Sequence, residues 1–189
     1  MRKLVFLALI LFSFALLAPA QIPTAGNIYV GYSYFNTNMP GVDRQGLNGW
    51  EGSVEAKFLP FVGVVADFSA NYGDLKFSVN PPLVPCPSAG SCPASVSANS
   101  HLDNLLFGPR ISVSAGPVRP FAQAMFGVAH INTNGLGSDT SFATAIGGGL
   151  DYRIFRLLAW RFQGDFIRSS LFHGTQHNAR FTTGVVLRF

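Results

Sequence analysis

Residues 50–58, WEGSVEAKF, place Trp50, Gly52, Val54, Ala56 and Phe58 on one parity and Glu51, Ser53, Glu55 and Lys57 on the other. Strict alternation marks a strand with two unlike faces. The same period recurs over 27–36, 48–58, 61–72, 102–114, 119–131, 141–152, 158–168 and 179–189. In each stretch an apolar, ring-rich face opposes a polar or small one. Val62, Val64, Ala66 and Phe68 stand against Gly63, Asp67 and Ser69; Trp160, Phe162 and Phe166 stand against Arg161, Gln163 and Asp165. Strands 4 and 5 alternate less cleanly, and Pro109 removes a ladder donor, which predicts a bulge or local break there. The 3.6 period of a helix is missing, and glycine and proline recur too often for one.

The connections carry a second signal. Between the predicted strands lie 37–47, 59–60, 73–101, 115–118, 132–140, 153–157 and 169–178. Long and short alternate, and the short ones hold Pro60 and Gly116-Pro117, which turn a chain tightly. A soluble sandwich has no reason to keep all its long loops at one end. A transmembrane barrel has one: its turns are short on the periplasmic side and its loops long outside. The pattern therefore predicts an all-β, eight-stranded antiparallel up-and-down transmembrane barrel, with both termini at the turn end.

Composition decides which face is inside. Only 12% of residues are charged and 18 are Phe, which is low charge and many rings for a globular domain. The polar face holds Glu51, Glu55, Lys57, Asp67, Arg110, Gln123, Asp151, Arg161, Asp165, Arg180 and Arg188. Its charges balance, five acidic against five basic, which suits an ion-paired filling for a narrow lumen. The other face is almost purely apolar, as a lipid-facing wall must be. Closure also leaves no sheet edge, which hydrocarbon does not tolerate.

Residues 1–20 read as a secretory signal. Arg2 and Lys3 form the positive region, 4–17 the apolar region, and Ala18-Pro19-Ala20 the cleavage pattern, leaving 21–189 as one barrel domain. The net charge of +4, with no basic run, argues against nucleic acid as a partner. Export places Cys86 and Cys92, in CPSAGSC, in an oxidising compartment, and a disulfide between them is expected. Gly147–Gly149 is no phosphate loop, because no helix and no Lys-Ser/Thr pair follow.

Several segments carry a family resemblance: the signal, GVVADFSANYG at 63–73, LFGPR at 106–110, PFAQAMFG at 120–127, GGGLDYR at 147–153 and the terminal GVVLRF. Together they resemble a small outer-membrane β-barrel of the OmpA/OmpX type. The resemblance implies integral residence in the outer membrane of a diderm bacterium. It also implies that Val185, Leu187 and Phe189 form the ending read by the barrel-insertion machinery.

The expected partners are outer-membrane lipid, that machinery, and an extracellular ligand at the loops, above all at 73–101 with its prolines and cysteines. No cofactor, metal or reaction is expected. His101, His130, His173 and His177 all map toward the loop end, near Ser100 and Ser170, but no motif links them into a hydrolytic or metal site. A small channel or a lipid A-modifying enzyme in the same barrel is the alternative reading, and a soluble lipocalin-like binder the next.

Overall fold

The computed structural model describes residues 25–38, 44–78, 95–135, 137–171 and 174–189. Eight strands follow one another: β1 Ala25–Asn36, β2 Gly46–Lys57, β3 Val62–Ser78, β4 Ser95–Ser112, β5 Val118–Thr133, β6 Gly137–Arg153, β7 Leu158–Ser169 and β8 Gln176–Arg188. Each pairs antiparallel with the next, and β8 returns to β1, so the sheet closes into a barrel. The predicted fold class is thus borne out. Gly26 and Phe189 seal the seam through two backbone hydrogen bonds of 3.0 and 3.1 Å.

Closure is staggered. Stepping between partners from Ala25 leads through Lys57, Gly63, Arg110, Gln123, Gly147, Asp165 and Arg180 back to β1 at Phe35. The row re-enters ten positions further along β1, from 25 to 35. Such a shear tilts the strands and leaves an eight-stranded barrel an interior that side chains can fill.

The facing is inverted relative to a soluble protein. Val30, Val54, Val64, Phe68, Phe126, Phe162 and Phe166 point outward and are exposed, whereas Glu55, Asp67, Arg110 and Arg161 are at most 1% exposed. The outward wall carries aromatic contacts, with Trp50 and Phe68 at 5.3 Å and Phe107 and Phe126 at 4.3 Å between ring centroids. Tyr32, Tyr34, Tyr72 and Phe142 stand toward one rim and Phe58, Phe61, Tyr152 and Trp160 toward the other. Two such girdles flank the lipid-facing band of an outer-membrane barrel.

At the turn end the connections are short: 58–61, 113–117 and 154–157. Gly116 has φ +62°, the positive dihedral that a tight hairpin turn requires, with Ala115 and Val118 bonded across it. At the other end the expectation of uniformly long loops is corrected. The predicted loop 132–140 shrinks to 134–136, because β5 and β6 stay paired out to Thr133 and Gly137. Likewise β3 and β4 remain in register to Ser78 and Ser95, which takes 73–78 and 95–101 out of the predicted loop 73–101. Here the inward positions Leu75, Leu102 and Ile131 pack into an apolar filling of the lumen, so the ladder continues although alternation along the sequence is weak.

Pro109 causes no bulge. The β4–β5 pairing lapses at Gly108 and Pro109 and resumes in the same register, from Phe107↔Phe126 to Arg110↔Gln123. The missing N–H interrupts the ladder without shifting it.

The signal segment 1–20, the cysteines Cys86 and Cys92, and His173 lie outside the described residues.

Candidate functional site

The lumen is where the chain gathers its chemistry. Inward positions come from alternate residues of every strand, and the staggered row sets which of them meet. Arg180 on β8 is fully buried among three carboxylates: Asp67 at 2.8 Å, Asp165 at 2.8 Å and Glu51 at 3.4 Å. It also donates to Ser69 Oγ at 3.0 Å. Gln163 Nε2 donates to Glu51 at 3.0 Å and to Asp165 at 2.8 Å, tying two of these acids together.

Gln123 couples this group to a second one. Its Oε1 accepts from Arg110 Nε at 2.8 Å, and its Nε2 donates to Asp165 Oδ1 at 2.7 Å. Arg110 pairs with Glu55 at 3.2 Å, and Asn27 donates to the same carboxylate at 2.7 Å. Arg161 grips Asp151 through two bonds, 2.7 and 3.1 Å, and Arg188 reaches Asp151 at 3.3 Å. Two guanidinium groups lie over the Phe121 ring, Arg110 at 4.5 Å and Arg161 at 4.7 Å from its centroid. Cations of like sign sit close here because the ring's negative faces attract both.

The glycine triplet makes room for this packing. A Cβ on Gly147 would lie 2.0 Å from Asp165 Oδ1, and one on Gly149 would lie 2.9 Å from the Phe121 ring. The wall at β6 is bare so that a carboxylate and a ring can lie against it.

Two positions differ from the polar face read from the sequence. Lys57 sits half-buried at the turn-end rim, where its Nζ contacts Ser112 Oγ at 3.1 Å and the Pro60 carbonyl at 3.4 Å rather than a carboxylate. Arg119, which the sequence reading passed over, reaches Glu55 at 3.6 Å and donates to Ser112 Oγ at 2.7 Å. Its strand alternates cleanly only after Pro120, which hid its parity. Asn27 and Phe121 also belong to the inward face, Asn27 at the first position of a predicted strand and Phe121 as an apolar ring on a polar face.

The lumen is not polar throughout. Toward the loop end Phe35, Leu47, Leu75, Leu102, Ile131 and Leu171 are each at most 1% exposed and form one cluster with Leu106 and Ile167. The even positions of β4 carry both Arg110 and Leu102, so one inward face changes from ionic to apolar along its length.

The described histidines, His101, His130 and His177, do not assemble. His101 pairs with Asp103 at 2.9 Å and stacks on Tyr72 at 4.3 Å on the outer surface. His130 Nδ1 lies 2.7 Å from Thr140 Oγ1, also outside, and His177 is exposed on β8. Ser100 is fully buried in the lumen against Thr133, because adjacent strand residues face opposite ways. No group of three or more metal-ligating side chains occurs among the described residues.

Of the terminal residues, Leu187 and Phe189 project outward and are exposed, and Val185 is half-buried on the same face.

A closed eight-stranded barrel with a lipid-facing apolar wall and an ion-paired lumen is the architecture of an integral outer-membrane protein. Residues 4–189 match the family described as outer membrane protein beta-barrel domain, and the chain belongs to that family. It resides in the outer membrane of a diderm bacterium. Among solved structures it is similar to Neisserial surface protein A, with 11% identity and a TM-score of 0.64 over 87% of this chain and 99% of that one. It is also similar to Ail, the attachment invasion locus protein of Yersinia pestis, solved with the heparin analogue sucrose octasulfate. That match has 14% identity and a TM-score of 0.57 over 87% of this chain and 98% of that one. Identities this low show a shared fold. No curated protein is significantly similar in sequence.

Proposed function

We propose that this barrel is a sealed, non-catalytic scaffold that presents its loop end to the cell's surroundings, with the interacting surface carried by the segments 37–45 and 79–94. One observation supports this above the channel reading: the inward side chains fill the lumen along its length. The Arg180 and Arg110 groups occupy the turn-end and middle portions, and Phe35, Leu102, Leu106 and Ile131 the loop-end portion, all nearly inaccessible. The separation of His101 and His130 outside from Ser100 inside argues against a hydrolytic rim.

The sulfated ligand of Ail does not carry over by charge. The loop-end positions Arg44, Lys76 and Arg168 are offset by Asp43, Asp74, Asp103 and Asp139, which is no attractive field for a polyanion. The reading favours an uncharged or mixed-charge partner such as a protein surface. The expected disulfide between Cys86 and Cys92 serves it by stiffening the longest segment. The ending Val185, Leu187 and Phe189 serves biogenesis, presenting its apolar face to the insertion machinery.

The test has two parts. In planar bilayers the purified protein gives no discrete conductance steps. In cells, replacing 79–94 by a two-residue Asn-Gly turn keeps the heat-shifted band of the folded barrel but abolishes adhesion to immobilised extracellular-matrix proteins. Stepwise conductance, or adhesion indifferent to the replacement, overturns the reading.

A further inference from the structure

The lumen is electrically lopsided. Around Arg180 three carboxylates, Glu51, Asp67 and Asp165, face one cation. Toward the turns the ratio reverses. Arg110, Arg119, Arg161 and Arg188 share only two side-chain carboxylates, Glu55 and Asp151, and Lys57 stands beside them with none. No other acidic side chain among the described residues is near: Asp74, Asp103 and Asp139 lie toward the loop end of their strands. Five side-chain cations against two side-chain carboxylates give +3, and the α-carboxylate of Phe189 at the same mouth lowers the excess to +2.

That excess converges on one place. A cavity of about 450 Å³ opens at the turn-end mouth, lined by Lys57, Arg119 and Arg188 together with Gly26, Phe58 and Phe189. Lys57 Nζ and Arg119 Nη2 lie 3.1 and 2.7 Å from the same Ser112 oxygen, so two cations share one neutral acceptor. Lys57 has no carboxylate partner among the described residues, and Arg188 Nε has no hydrogen-bond partner there. One oxygen of the Phe189 α-carboxylate accepts from the Gly26 N–H, and no ion pair joins that carboxylate to Lys57, Arg119 or Arg188. Like charges held this close at the edge of a low-dielectric wall call for an external anion.

We propose that this mouth is a binding site for a phosphate group. Phosphate offers several acceptor oxygens to an arginine fork and a lysine point charge at once, and it neutralises more of the excess than a carboxylate does. The source is either a soluble phosphate ester or the headgroup of a phospholipid in the adjacent leaflet. The exposed rings of Phe58 and Phe189 at the rim suit the chains of the latter.

The full chain, folded in zwitterionic micelles, is titrated separately with glycerol 3-phosphate and with short-chain phosphatidylglycerol while the Gly26 and Lys57 amide resonances are followed. Both probes are expected to move these resonances, with an affinity that falls as salt rises. Much tighter binding of the lipid assigns the site to a headgroup; equal binding assigns it to soluble esters. Lys57→Gln, at a half-exposed position without an ion pair, should weaken binding about fivefold, equivalent to ~1 kcal/mol, while Lys57→Arg preserves it. The heat-shifted band shows that each variant is folded. Absence of any shift at millimolar probe, equal response to phosphatidylcholine, or unchanged affinity in folded Lys57→Gln overturns the proposal.

Discussion

Gly147 and Asp165 are register partners on β6 and β7, and the side chain that one lacks is the space the other's carboxylate fills. A methyl group at 147 would overlap Asp165 Oδ1 at 2.0 Å and meet the Gly164 carbonyl at 2.5 Å. Asp165 is fixed by Arg180, Gln123 and Gln163, so it cannot step aside cheaply. Gly147→Ala should therefore destabilise the barrel by about 1–3 kcal/mol, the usual cost of overpacking. Gly52→Ala is the contrast: its nearest neighbour would be 3.6 Å away, and removing strand glycine entropy should leave stability unchanged or raise it by up to ~1 kcal/mol. Urea unfolding in lipid vesicles measures both.

Arg180 holds three acids together. Arg180→Met leaves Glu51, Asp67 and Asp165 without their shared cation in a buried setting, with an expected loss of about 3–5 kcal/mol. Adding Asp165→Asn removes one of the stranded charges, so the double variant should be more stable than Arg180→Met alone. A double-mutant cycle by equilibrium unfolding reads this coupling, and simple additivity would contradict it.

The outward wall makes a depth prediction. Val64 lies on the lipid face at mid-strand, and Val64→Arg should cost about 2–4 kcal/mol of folding stability in a bilayer. A negligible loss would contradict the facing.

The sequence holds two tryptophans, and both project outward, Trp50 at 46% and Trp160 at 38% exposure. Lipids brominated on their acyl chains should quench the emission of Trp50→Phe and of Trp160→Phe alike, since each variant retains one lipid-facing indole. Quenching confined to one variant would mean that one of these rings is turned away from the bilayer.

The facing of the strands was legible because alternation and composition agree: WEGSVEAKF puts Glu51 and Glu55 on one parity and Trp50 and Val54 on the other, and only a membrane allows the charged parity inside. The strand ends were not legible. Ser95–Ser100 and Asp74–Ser78 look like loop by composition, yet they pair, with Leu75 and the Ala98 opposite it turned inward and buried. The loop-end plug was hidden for a related reason. Leu105, Leu106 and Phe107 form an unbroken apolar run, so the inward course of Leu106 is visible only once Arg110 fixes the parity. Arg119 escaped because Pro120 follows it and blurs the start of β5. The pairings themselves depend on the ten-position stagger, a property of closure that no single strand encodes.

That stagger has a consequence for assembly. Arg180 and Asp67 are neighbours across 113 positions of chain, and Gln163 reaches Glu51 across 112. An open sheet slipping into the bilayer one hairpin at a time would carry bare ions into oil, each lacking a counterpart still outside. The ionic centre thus acts as a lock on the order of events: the ribbon must curl and zip its first strand to its last before, or as, it leaves water.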